Sequence, residues 1–458
     1  MGPAYRTRSK AKADRSDWTA LPPGVWAEIA KLCEDKDFAR IRQVCARWER
    51  GASAEVTEIQ VVNGADLAPL QRFPSVRDLV VDGAIDSHQV RLLGDLGLTD
   101  LDVNGGLFWN KKPLRDALRS LDFGSLGKLR IGQCNRLSES LLSALPRTLV
   151  ELTLWCCKGM VDMKALLSLP RLARLALEYC NVDTVAGLEG HPSLSDLSLS
   201  LSVRSKFDRT SVALLRNLTS FEIDHPGDDL KYLLRLPRLT SLHLGIIFDG
   251  CLDNLRLMTR LTGLKLPRSY CTSTLLAGAL AELTALTSLA ISFYEIEVLE
   301  AMRGMRSLRN LYMRYNGTMP SWWDAFKATA VRWDLEELNL VYHGLNGDKL
   351  HWLLDNLRLE HLRADFGCLG TFAGLVAERP PRHAGSVKTL AHEGWSYGCF
   401  IEEPHVTLER LEGLSRALSG FRALIVPRSV YDRCHTDDLC ADVSARMKAR
   451  GVRLMHEA

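Results

Sequence analysis

The sequence predicts an α/β solenoid of about sixteen strand-and-return units, preceded by a small helical module. Three observations carry this. First, one short frame is written three times in succession. Leu126, Leu129, Ile131 and Cys134 are followed by Leu149, Leu152, Leu154 and Cys157, then by Leu172, Leu175, Leu177 and Cys180. The cysteines fall at one constant interval, as a repeating unit requires. Second, the apolar part of that frame recurs from about Val56 to Val426 at spacings of roughly 20–28 residues. Third, residues 17–52 lack the frame and carry apolar residues at helical spacing instead.

The frame has a physical reading. A strand alternates its faces, so its fourth- and sixth-position apolar residues point one way and their neighbours the other. A single unit cannot bury its apolar side alone. Stacked units share one core, in which each fully buried Leu contributes about 1.5–3 kcal/mol. The ninth-position cysteine is expected inside the turn, beside otherwise unpaired backbone groups. Frame and period together resemble the leucine-rich repeat, which implies a curved horseshoe with its strands on the concave side.

In chain order, residues 1–16 are polar and basic (Arg6, Arg8, Lys10, Lys12, Arg15) and read as a disordered arm. Residues 17–52 form the helical module. Leu21-Pro22-Pro23 opens its first helix, because proline suits a first turn. Val25, Trp26, Ile29 and Leu32 make one apolar stripe. After the polar break Glu34–Asp37, the residues Phe38, Ile41, Val44, Cys45 and Trp48 make a second. So short a unit buries little surface and should lean on a neighbour or a partner.

Residues 53–427 are assigned to the solenoid. Its strands centre on pairs such as Ile59/Val61, Leu79/Val81, Leu242/Leu244, Leu338/Leu340 and Leu424/Val426. Between them, 141–148, 275–285 and 351–358 show helical spacing. Two inserts break the rhythm. One carries Trp322, Trp323 and Trp333, and the other Trp395, Tyr397 and Phe400. The tryptophans suit either a core filler or an exposed binding group. Residues 428–458 read as a C-terminal cap containing a helix at 441–450.

The module at 17–52 resembles an F-box. The matching residues are Leu21-Pro22, Val25, Trp26, Ile29, Asp37-Phe38 and the run Val44-Cys45-Ala46-Arg47-Trp48. Gly24, Ala30 and Cys33 depart from that family's pattern and narrow the first apolar face. An F-box followed by leucine-rich repeats implies a substrate-recognition subunit of a cullin ubiquitin ligase. Leu21, Pro22, Val25, Trp26, Ile29, Val44, Cys45 and Trp48 would dock on a Skp1-type adaptor, and the repeats would hold a protein substrate. The alternative is a non-enzymatic repeat scaffold of a cytoskeletal, ciliary or other protein complex, with the helices capping the first repeat.

Composition narrows the remaining classes. A net charge of +3 lacks the basic excess expected of an obligatory nucleic-acid binder. No apolar run has the length of a membrane span, and no secretory leader pattern opens the sequence. The twelve cysteines are therefore expected as reduced thiols in the cytoplasm or nucleus. No phosphate loop, dinucleotide fingerprint or zinc spacing is present, so neither an enzyme nor a cofactor is expected. Cys434, His435, Asp437, Asp438 and Cys440 match no usual zinc pattern. What remains is the strand face beside the core leucines. Trp155, Tyr312, Arg314, His361 and Arg363 are the candidate substrate anchors there, since Trp, Tyr and Arg dominate binding hot spots.

Overall fold

The structure, a computed structural model, describes residues 56–62, 67–83, 87–94, 96–104, 124–133, 139–157, 162–201, 206–293, 295–315, 322–341, 345–364, 381–392, 412, 422–426 and 438–456. The arm and the F-box-like module lie outside them. The chain divides into two compact bodies, Met1–Leu172 and Ala173–Ala458.

In the first body, β1 (Glu58–Val62), β2 (Asp78–Asp82), β3 (Asp100–Asn104), β4 (Lys128–Gly132) and β5 (Glu151–Trp155) pair in chain order, all parallel. Parallel neighbours cannot be joined by hairpins, which is why a long return separates each pair. The register aligns Ile59, Leu79, Leu101, Leu129 and Leu152 across the sheet. Each leucine of that line is buried.

The second body repeats the scheme. Its strands are β6 (Arg174–Glu178), β7 (Asp196–Ser200), β8 (Ser220–Ile223), β9 (Ser241–Leu244), β10 (Gly263–Leu266) and β11 (Ser288–Phe293). They continue with β12 (Asn310–Tyr315), β13 (Glu337–Val341), β14 (His361–Ala364), β15 (Thr389–His392), β16 (Ala423–Val426) and β17 (Arg453–His456). Every consecutive pair is parallel and in frame.

The turn leaving a strand has a distinctive backbone. Gln133, Cys156 and Tyr179 all adopt left-handed φ values, 55°, 51° and 54°. Each directly precedes a cysteine of the frame. The turn points the next side chain inward, so Cys157 and Cys180 are buried. The Cys157 thiol lies 3.5 Å from the Trp155 carbonyl, and the Cys180 thiol 3.5 Å from that of Glu178. The expected structural role of these two cysteines is met; Cys134 lies outside the described residues.

A hydroxyl ladder adds to the sheet. Thr219, Thr240, Thr262 and Thr287 each donate a backbone N–H to the carbonyl of the equivalent residue one repeat earlier, at 2.8–2.9 Å. Each Oγ1 reaches that same carbonyl, at 3.1–3.3 Å.

Among the described residues, the returns are short 3-10 turns in some repeats and helices in others. In the first body, α1 (Ser87–Gly94) and α2 (Glu139–Leu142) serve this role. In the second, α3 (Asp249–Leu255), α4 (Ser273–Ala281) and α5 (Glu297–Ala301) do. The tryptophan insert forms α6 (Trp322–Ala330), and α7 (Gly347–Asn356) follows it. Trp322, Phe326 and Trp333 are buried, and the Trp333 indole donates to the Met302 carbonyl at 3.2 Å. Trp323 stacks on Phe326 with centroids 5.3 Å apart. The Lys349 ammonium sits 5.3 Å from the Trp322 ring. The insert is thus wall packing on the return side, with Trp322 and Trp333 as core fillers.

The last segment adds a strand to the helix expected there. After α8 (Asp438–Ala449), β17 pairs with β16 and sets Leu454 against Leu424. The segment therefore repeats a return and a strand. The sequence hid this because His456 stands at the sixth position of the frame, where an apolar residue is expected.

Candidate functional site: a notch on the open face of the sheet

Residues between the two core positions of each strand turn away from the core and line the open face. Register makes them a continuous row across the second body. From β8 to β14 it reads Glu222, His243, Lys265, Ala290, Tyr312, Asn339 and Arg363. Neighbours in the row stand about 4.8 Å apart. The row on its flank is small from β8 to β11: Ser220, Ser241, Gly263 and Ser288.

Ala290 interrupts the central row. Long side chains stand on both sides of it, and the gap opens a notch of about 510 Å³. Its lining includes His243, Lys265, Pro267 and Ser288 on one side, and Tyr312, Glu337, Asn339 and Arg363 on the other. Lys265 is exposed, whereas Tyr312 and Arg363 are half-buried. Asn339, between those two, is only 7% exposed. Its Oδ1 is buried and accepts no hydrogen bond among the described residues. An acceptor left so costs about 1–3 kcal/mol of desolvation.

One edge of the notch is fixed by a network. His243 Nδ1 lies 2.6 Å from Glu222, and the Ser198 hydroxyl donates to the same carboxylate at 3.1 Å. The hydrogen bond from His243 holds the Glu222 carboxyl below its usual range, against the opposing effect of burial. This edge is therefore pre-set before any partner arrives.

Of the expected anchors, Tyr312 and Arg363 line the notch. Arg314 and His361 are exposed on the same two strands, two residues after Tyr312 and two before Arg363, and so flank it on neighbouring rows. Trp155 belongs to the first body. It stands at the end of β5 beside Gly132, where an added Cβ would lie 2.9 Å from its ring. The adaptor residues Leu21, Pro22, Val25, Trp26, Ile29, Val44, Cys45 and Trp48 lie outside the described residues. Ala290 was missed as a site residue, because a small residue announces nothing until its neighbours are known.

The first body's open face is different. Asp78, Asp100, Asp102 and Glu151 surround Lys128 and Arg130. Lys128 pairs with Asp100 at 3.4 Å, and Arg130 with Asp102 at 3.9 Å. Burial raises the Asp102 pKa, Arg130 opposes it, and Asp78 and Asp82 add to it. Among the described residues, no group of His, Cys, Asp or Glu is placed to hold a metal ion.

Both bodies are leucine-rich-repeat stacks. That statement rests on the strand register and the turn geometry above. No protein-family model matches the chain, and no curated protein matches it. Among solved structures, the chain is similar to an internalin (InlF) of Listeria monocytogenes. The two are 19% identical over 66% of this chain and 93% of that one, with a TM-score of 0.42. Internalin C2 of the same organism is 15% identical over 42% of this chain and 80% of that one, with a TM-score of 0.29.

Proposed function

We propose that this protein is the substrate-recognition subunit of a cullin ubiquitin ligase. Residues 17–52 dock on a Skp1-type adaptor, and the open face of the repeats holds a protein substrate. The observation that carries the adaptor half is the run Leu21-Pro22 through Val44-Cys45-Ala46-Arg47-Trp48 placed directly before leucine-rich repeats. The substrate half is supported by the notch, where Tyr312 and Arg363 flank a buried, unpartnered acceptor. On this reading the protein performs no chemistry. It raises the effective concentration of a substrate beside the ligase, in the cytoplasm or nucleus.

Co-expression of the full chain with a Skp1-type adaptor and a cullin tests this. The three should co-purify, and the double substitution Trp26→Asp/Trp48→Ala should release the chain while leaving it folded. Absence of co-purification by the folded wild-type chain would leave a repeat scaffold, whose first helices cap the solenoid.

A further inference from the structure

The notch over Ala290 also carries information about what it binds. Lys265 and Tyr312 stand two strands apart with only a methyl group between them. Their backbones are therefore about 9.6 Å apart, room for one side chain to enter from above. Lys265 is exposed and lines the notch. Asn339 supplies an independent observation. It is more than nine-tenths buried and lines the notch, and its Oδ1 has no donor among the described residues. A buried acceptor in that condition is matched by a partner that brings an N–H.

We infer that the notch takes an acidic side chain from an extended peptide segment. The carboxylate sits over Ala290 between the Lys265 ammonium and the Tyr312 hydroxyl, and a backbone N–H of the same segment donates to Asn339 Oδ1. Side-chain movement of Tyr312 and Arg363 opens that last contact. Glu337 lines the same notch from the flanking row, so the residue set there is neutral or basic. The segment thus carries its charge in one sense only, acid first and neutral or basic beyond. This deepens the protein-recognition reading and rests on it.

The test begins with a library of random linear peptides displayed on phage and selected on the immobilised full chain. Enriched peptides are then titrated by fluorescence anisotropy against the wild type and three variants, with circular dichroism as the folding control. Enriched peptides should carry an acidic residue. Lys265→Glu should weaken them about tenfold or more, because a charge-assisted contact becomes a repulsion. Ala290→Leu should abolish binding by filling the notch. Asn339→Leu should weaken binding about tenfold while raising the melting temperature, a combination that a purely structural role would not give. Peptides without an acidic residue, or peptides indifferent to Ala290→Leu, would overturn this inference and leave protein recognition by the face standing. Failure to enrich any peptide would also overturn it, and the adaptor half of the proposed function is tested separately by co-purification.

Discussion

Phe326 gives the sharpest test of how the tryptophan insert is held. The side chain is fully buried on α6. Trp323 stacks on it at 5.3 Å, and Trp322, Trp333 and Trp352 lie at 6.1, 6.1 and 6.4 Å. Phe326→Ala should cost about 3–5 kcal/mol, the transfer term plus a cavity that rigid indoles close poorly. Phe326→Leu keeps most of the volume and loses the ring pairs, so about 1–2 kcal/mol is expected. For a body of this size, each 1 kcal/mol moves the melting temperature by about 2 °C. The alanine variant should therefore melt roughly 6–10 °C lower, and the leucine variant roughly 2–4 °C lower. Tryptophan fluorescence during urea unfolding reads the site directly, since four indoles surround the deletion. A cost below about 1 kcal/mol for Phe326→Ala would refute the reasoning and mean that α6 is not part of the wall.

Three further outcomes follow from named contacts. Tyr179 is 62% exposed and holds a left-handed φ of 54°. Tyr179→Gly should be neutral or slightly stabilising, and Tyr179→Val should cost about 1–2 kcal/mol; thermal melts of the two variants check this. Thr240→Val removes one rung of the hydroxyl ladder and keeps the shape, so about 0.5–1.5 kcal/mol should be lost, measured as a shifted urea midpoint. Glu222 has its folded pKa lowered from 4.5, chiefly by the hydrogen bond from His243. Its contribution is complete above that value and is lost as pH falls through the lowered folded pKa. Glu222→Gln should accordingly flatten the stability–pH curve below about pH 4.5, and an unchanged acid limb would contradict the pairing.

The repeat architecture was legible because it depends on spacing. Leu152 and Leu154 announce their own strand, and the register that aligns them with Leu129 and Ile131 follows from the frame. The direction of the flanking residues was legible for the same reason, which is how Tyr312 and Arg363 were found. The notch was not. Ala290 matters only because Lys265 and Tyr312 stand beside it, and each comes from a different repeat. The frame sets Asn339 on the open face between Tyr312 and Arg363, but its burial there is not written in its own strand. The insert was half legible: Trp322 and Phe326 share helical spacing, but whether they face the core or a partner depends on Trp333 and Trp352 closing over them. β17 escaped because His456 breaks the frame at its sixth position.

The central claim is that residues 17–52 form an adaptor-docking module at the head of a recognition solenoid. Calorimetric titration of a Skp1-type adaptor into the purified full chain tests it most directly. The account expects one-to-one, sub-micromolar binding that Trp26→Asp/Trp48→Ala abolishes and that Ala290→Leu leaves unchanged. No heat of binding from a folded chain, or binding indifferent to the double substitution, would contradict it.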